Sequence, residues 1–136
     1  MRLLVCGGRG YGVVPDWYPQ EQAAEVRARA ARESFFLRET LDCLHIEDPV
    51  SVVIHGGARG ADALAGLWAV RKGIEVLVFR ADWRGLGKSA GPIRNARMIF
   101  EGLPAMVVAF PGGSGTADMV RQATAAGVRV FEAGQG

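Results

Sequence analysis

Three glycine-rich turns in this chain carry residues that could hold an anion: Gly7-Gly8-Arg9-Gly10-Tyr11-Gly12, Gly56-Gly57-Ala58-Arg59-Gly60-Ala61-Asp62 and Pro111-Gly112-Gly113-Ser114-Gly115-Thr116. Glycine admits positive φ and lets backbone N–H groups come close to a ligand. A helix opening directly afterwards adds unsatisfied N–H groups and the positive end of its dipole. Phosphate is the natural guest. The third turn is the strongest case, because Gly112, Gly113 and Gly115 leave the backbone bare while Ser114 and Thr116 offer hydroxyls or a helix cap. A fourth segment, residues 81–95, is polar and broken by glycine, and brings Asp82, Trp83, Lys88, Arg94 and Asn95. Its tryptophan could stack on a base.

The net charge is only +2, so the chain as a whole does not attract nucleic acid or an anionic membrane. Any anion site is local. Arg9, Arg59, Arg84, Lys88 and Arg94 all fall in these loops and could focus positive potential on one cleft. Arg94 is expected on a helix, where a guanidinium makes rigid bidentate phosphate contacts. The alternative for Arg94 is a salt bridge to Asp62, Asp82 or Asp118.

Other chemistries fail on detail. Val13 stands where a dinucleotide fingerprint wants its third glycine, and His55 ends the second apolar run where a ribose-binding acid would be needed. Gly87-Lys88-Ser89 is similar to the end of a P-loop, but Asp82 occupies the place of its first glycine. No Gly-x-Ser-x-Gly elbow supports a serine hydrolase. His55 has no metal partner in sequence and reads as a hydrogen-bonded residue at a strand end. Cys6 and Cys43 sit in no metal-spaced cluster and read as small buried hydrophobes, so neither a metal nor a cofactor is expected.

The elements that must position these turns follow from the apolar pattern. Runs at 3–6, 50–55, 75–79, 105–110 and 128–131 are rich in Val, Ile, Leu or Phe with little alternation, which suits parallel strands covered on both faces. Between them lie helix candidates at 20–45, 61–72, 92–101 and 116–126, a βαβ rhythm. In the longest, Val26, Ala30, Ser34, Leu37, Leu41 and Leu44 mark the inner face, and Glu25/Arg29, Arg29/Glu33 and Arg38/Asp42 are expected to pair outside. Gly73, Gly102 and Gly127 fall where C-terminal caps belong. Residues 11–19 form the one long loop, either a lid or a surface connection.

A chain of 136 residues is expected to form one domain. No stretch approaches the ~20 apolar residues of a membrane span, and the first apolar run is too short for a secretory signal. A cytoplasmic protein is expected.

In order along the chain, Cys6-Gly7-Gly8-Arg9, then His55 through Asp62, Ala81-Asp82-Trp83 with Gly87-Lys88, Ala90-Gly91-Pro92-Ile93-Arg94-Asn95, and Phe110 through Met119 are spread over nearly its whole length. This succession resembles the YspA-like, cpYpsA-related branch of the SLOG superfamily. The resemblance implies an α/β, Rossmann-like three-layer α/β/α fold with a five-stranded parallel sheet in the order 3-2-1-4-5. It implies a single SLOG-type nucleotide-binding domain over 1–136, acting as a sensor or processing protein. The ligand would be a nucleoside monophosphate, an ADP-ribose-like compound or a related molecule, and the assembly a homodimer or higher homo-oligomer. Two departures stand near the N-terminus: Gly10 replaces an acid, and residues 13–33 look like an insertion that lengthens the first helix.

More distantly the chain is similar to the LOG (lysine-decarboxylase-like) phosphoribohydrolases, which cleave the N-glycosidic bond of a nucleoside monophosphate. Their catalytic arginine would match Arg94 and their phosphate loop residues 111–116, but their glutamate falls on Met119. Cleavage through an oxocarbenium-like state wants a carboxylate near the sugar. Asp118 is the candidate replacement, with Asp62 or Asp82 reaching in from neighbouring loops. Single-stranded nucleic-acid binding is a third reading, disfavoured by the charge of +2.

Overall fold

In the first strand, successive apolar residues part to opposite sides: Leu3 and Val5 enter one buried cluster, Leu4 and Cys6 another. The fourth strand divides in the same way, with Met106 and Val108 against Val107 and Ala109. Side chains alternate along a strand, so an unbroken apolar run is what a sheet covered on both faces requires. A computed structural model describes residues 1–134 and shows that sheet; Gln135 and Gly136, the end of the expected 1–136 domain, lie outside the described residues.

The strands are β1 (Arg2–Cys6), β2 (Val52–His55), β3 (Glu75–Val78), β4 (Met106–Ala109) and β5 (Arg129–Glu132). All pairings are parallel and the order is β3-β2-β1-β4-β5. Helices α1 (Ala23–Glu47) and α2 (Ala61–Arg71) cover one face through Leu37, Leu41, Ala65 and Trp68. Helices α4 (Ala90–Phe100) and α5 (Ser114–Ala125) cover the other through Met98, Ile99, Met119 and Ala123. A single turn, α3 (Trp83–Leu86), precedes α4. The chain winds outward from β1 to β3, then crosses to β4 on the far side of β1. The order therefore reverses between β1 and β4, and a crevice opens beyond their carboxyl ends.

Several local expectations are corrected. Asp42 accepts from Trp68 Nε1 at 2.9 Å and meets Lys72 Nζ at 3.3 Å, because α2 packs beside it; Arg38 turns to Ser34 Oγ instead. Glu25 pairs with Arg32, leaving Arg29 to Glu33 as expected. Gly73 and Gly127 close their helices at positive φ (71° and 76°), but at the end of α4 Leu103 takes the left-handed turn (φ 52°). Gly102 is required there for space: a Cβ would lie 2.2 Å from the Met98 carbonyl oxygen. Cys43 is exposed rather than buried. The start of the loop at 11–19 is tied to α1, the Gly12 amide donating to Glu33 and Arg29 donating to the Val13 carbonyl. Among the described residues no helix is long and apolar enough to cross a membrane.

Candidate functional site

The crevice at the β1/β4 junction has a volume of about 750 Å³. Of the residues singled out in the sequence, Gly7, Gly8, Arg9, Asp62, Trp83, Lys88, Arg94, Asn95, Gly113, Ser114, Gly115, Thr116 and Asp118 line it. Gly56, Gly57, Arg59, Gly60, Asp82 and Gly112 do not.

The third turn meets the requirements for holding an anion. Gly113 is the N-cap of α5 without a side-chain cap, so Ser114 is the first helical residue and its hydroxyl does not cap. The first intrahelical bond across this end runs from the Ala117 amide to the Gly113 carbonyl. Among the described residues, no acceptor takes the amides of Ser114, Gly115 and Thr116, which face the crevice at the positive end of the helix dipole. Gly112 sits behind them as a packing residue: a Cβ would lie 2.3 Å from Thr116 Oγ1 and 2.7 Å from the Gly8 amide nitrogen.

The second turn corrects the sequence reading that all three turns cradle phosphate. Its amides are already used within the protein: Gly56 and Ala58 donate to Asp62 Oδ2, both at 3.1 Å, and Gly57 donates to His55 Nδ1 at 2.9 Å. A carboxylate buried at this place braces the turn and repels an anion. Gly60, at φ 76°, is needed because a Cβ would lie 2.2 Å from the Gly8 carbonyl oxygen, where the first two turns pack together. Arg59 points outward to Asp16 at 3.9 Å. The first turn is also partly committed, with the Gly8 amide donating to the Pro111 carbonyl at 2.9 Å.

Arg94 enters from α4. Its Nη1 donates to the Gly56 carbonyl at 2.8 Å and its Nε to Asn95 Oδ1 at 3.1 Å. Among the described residues no carboxylate forms a salt bridge with it, although Asp62 lies close enough to act on it electrostatically. Burial lowers the Arg94 pKa and Asp62 offsets part of that. Asp62 shows the converse: burial raises its pKa, while the Ala58 amide, Arg94, the Gly56 amide and Arg9 pull it back.

Asp118 Oδ2 accepts from Asn95 Nδ2 at 2.9 Å and from Gln122 Nε2 at 2.8 Å, and Oδ1 lies 3.7 Å from Arg121 Nη2. Met119 points the other way, 1% exposed in the core under the sheet. Trp83, 49% exposed, has the Arg9 guanidinium 5.3 Å from its ring centroid. Asp82 lies outside the crevice and accepts from the Gly85 amide at 2.9 Å, capping the start of α3. Tyr11, in the first glycine turn, is packed in the core with its ring centroid 5.5 Å from that of Phe110.

His55 is a strand-end acceptor, as expected, with its pKa lowered by burial and by Arg80. Cys6 lines the crevice floor, its thiol pushed up to about 12, chiefly by burial. The sequence reading missed Ala58, Gly91, Pro92, Met98 and Arg121 as lining residues. Arg121 was accessible, since it follows Ser114 and Asp118 on one helical face. Gly91 was not, for its reason is tertiary: a Cβ would lie 3.2 Å from Trp83 Cη2. Among the described residues no group of three or more His, Cys, Asp or Glu side chains is placed to hold a metal ion.

A family model described as YAcAr, the YspA, cpYpsA-related SLOG family, matches residues 1–85. That match includes the first two turns and Trp83, and ends before Arg94 and α5. The chain is also similar to the Gene 61 protein of Mycobacterium phage D29, with 42% identity over 100 residues, 68% of this chain and 79% of the phage protein. No solved structure matches.

Proposed function

Because the chain belongs to the YspA, cpYpsA-related SLOG family, we propose that it binds a nucleotide or nucleotide-derived ligand across the β1/β4 crevice, as one domain. The observation that carries this reading is the set of uncommitted amides at Ser114, Gly115 and Thr116, opening onto a crevice also lined by Arg9, Lys88, Arg94 and Arg121. They receive the phosphate, and the four cations balance its charge in a chain that is otherwise near neutral. Trp83 offers a half-exposed face for the base. Isothermal titration with nucleoside monophosphates, ADP-ribose-type compounds and cyclic dinucleotides tests it. Binding by at least one class is expected, and no binding by any would overturn the reading.

The phosphoribohydrolase alternative rests on Arg94 and Asp118 both lining the crevice. Two side-chain amides and a nearby arginine already hold the Asp118 carboxylate, and Met119 is turned into the core. Binding is therefore the reading the geometry favours. Release of free base from nucleoside monophosphates, lost in both Arg94→Ala and Asp118→Ala, would establish hydrolysis instead.

A further inference from the structure

Asp62 differs from the rest of the crevice wall. The wall otherwise offers donors, namely helix amides, guanidinium groups and the Lys88 ammonium, and its other carboxylate, Asp118, is already held by Asn95, Gln122 and Arg121. Asp62 is 6% exposed. Its Oδ2 is saturated by the Gly56 and Ala58 amides, and among the described residues no donor reaches its Oδ1. Yet no side-chain oxygen among them is both fully buried and unpartnered, so Oδ1 keeps an opening, and the cavity that Asp62 lines is the crevice. An ionised carboxylate oxygen only accepts. Placed in a crevice that draws in anions, it repels phosphate and needs a donor from some other part of the ligand.

Depth identifies that part. Ser114 and Gly115 are exposed at the crevice rim, and so is Trp83, whereas Asp62 is buried with Arg94 beside it. A nucleotide with its phosphate on α5 and its base on Trp83 spans the rim at both ends, and the sugar between them sinks toward Asp62. We infer that Asp62 reads the sugar: its Oδ1 accepts a hydrogen bond from a ribose hydroxyl and selects a ribonucleotide over the matching deoxynucleotide. The inference rests on the nucleotide-binding reading above.

The test is titration of the full chain with the ribonucleoside 5′-monophosphates, ADP-ribose and the matching 2′-deoxy and 3′-deoxy monophosphates, on wild type and Asp62→Asn. The asparagine keeps an oxygen for the Gly56 and Ala58 amides and presents an NH₂ group in place of the charged acceptor. In wild type, removal of one of the two hydroxyls weakens binding by about 10-fold or more, the scale of one charge-assisted hydrogen bond. In Asp62→Asn that ratio drops to within about 3-fold, since a hydrogen bond to a neutral group is roughly half as strong. Equal binding of ribo and deoxy forms by wild type overturns the inference while leaving nucleotide binding intact, and so does an undiminished ratio in the variant. Failure of every probe to bind overturns the inference, and failure of cyclic dinucleotides as well overturns both readings. Should Asp62→Asn not fold, the wild-type comparison alone decides.

Discussion

Asn95 donates to Asp118 Oδ2 at 2.9 Å while its own Oδ1 accepts from Arg94 Nε at 3.1 Å. One buried amide thus ties the guanidinium of α4 to the carboxylate of α5, and a further bond from Nδ2 to the Gly115 carbonyl at 3.2 Å fixes the start of α5 itself. The Arg94 guanidinium and the start of α5 are set relative to each other by this single side chain.

Asn95→Ala should therefore lower both stability and affinity. Asn95 is 3% exposed, and its loss strands partners at a buried position, costing about 1–3 kcal/mol. Urea denaturation measures this, and titration with AMP should show weaker binding. An unchanged affinity alongside the stability loss would limit Asn95 to a structural role.

Glycines of similar appearance should respond oppositely. Gly60→Ala forces a Cβ to 2.2 Å from the Gly8 carbonyl oxygen at φ 76°, and should cost about 2–4 kcal/mol from overpacking and backbone strain. At Gly115, inside α5, a Cβ meets nothing within 4 Å, and Gly115→Ala should be neutral or stabilise by up to about 1 kcal/mol. Equal destabilisation of the two in thermal melts would contradict this account of the turns.

Asp62 sets a pH dependence. Burial raises its pKa above the ordinary 3.8, so the fold disfavours its ionised form. The stability this contributes is complete below the unfolded value and is lost as pH rises through the raised one. Wild type should lose stability relative to Asp62→Asn across that interval. The charged neighbours do not confuse the signal: the guanidinium groups of Arg94 and Arg9 are arginines and always charged, and the Cys6 thiol, pushed up to about 12, stays neutral. A flat difference between the two proteins would refute the assignment.

The two cysteines should separate under native alkylation at neutral pH. Cys43 is exposed, while Cys6 is buried and its thiolate is disfavoured. Iodoacetamide followed by mass spectrometry should give one adduct, on Cys43. Modification of Cys6 at the same rate would show that the crevice floor is more open than described.

The sheet was legible because its three central strands, β2, β1 and β4, are buried apolar runs without alternation, and the helices between the strands follow from the same pattern. The open amides of the third turn were legible too, since the first N–H groups of a helix have no partner within it and glycine before Ser114 supplies no side-chain cap. The second turn misled. Its glycines look like a phosphate cradle, and nothing in spacing alone reveals that Asp62 folds back to take the Gly56 and Ala58 amides. Nor does spacing show that Tyr11, in the first glycine turn, packs on Phe110 and belongs to the core.

Amide NMR of the chain titrated with AMP tests the central claim most directly. The account predicts that the backbone amides of Ser114, Gly115 and Thr116 shift most, while Gly56 and Ala58, already bonded to Asp62, shift less. Saturable binding with its largest shifts at Gly56 and Ala58, or away from the crevice, would contradict it.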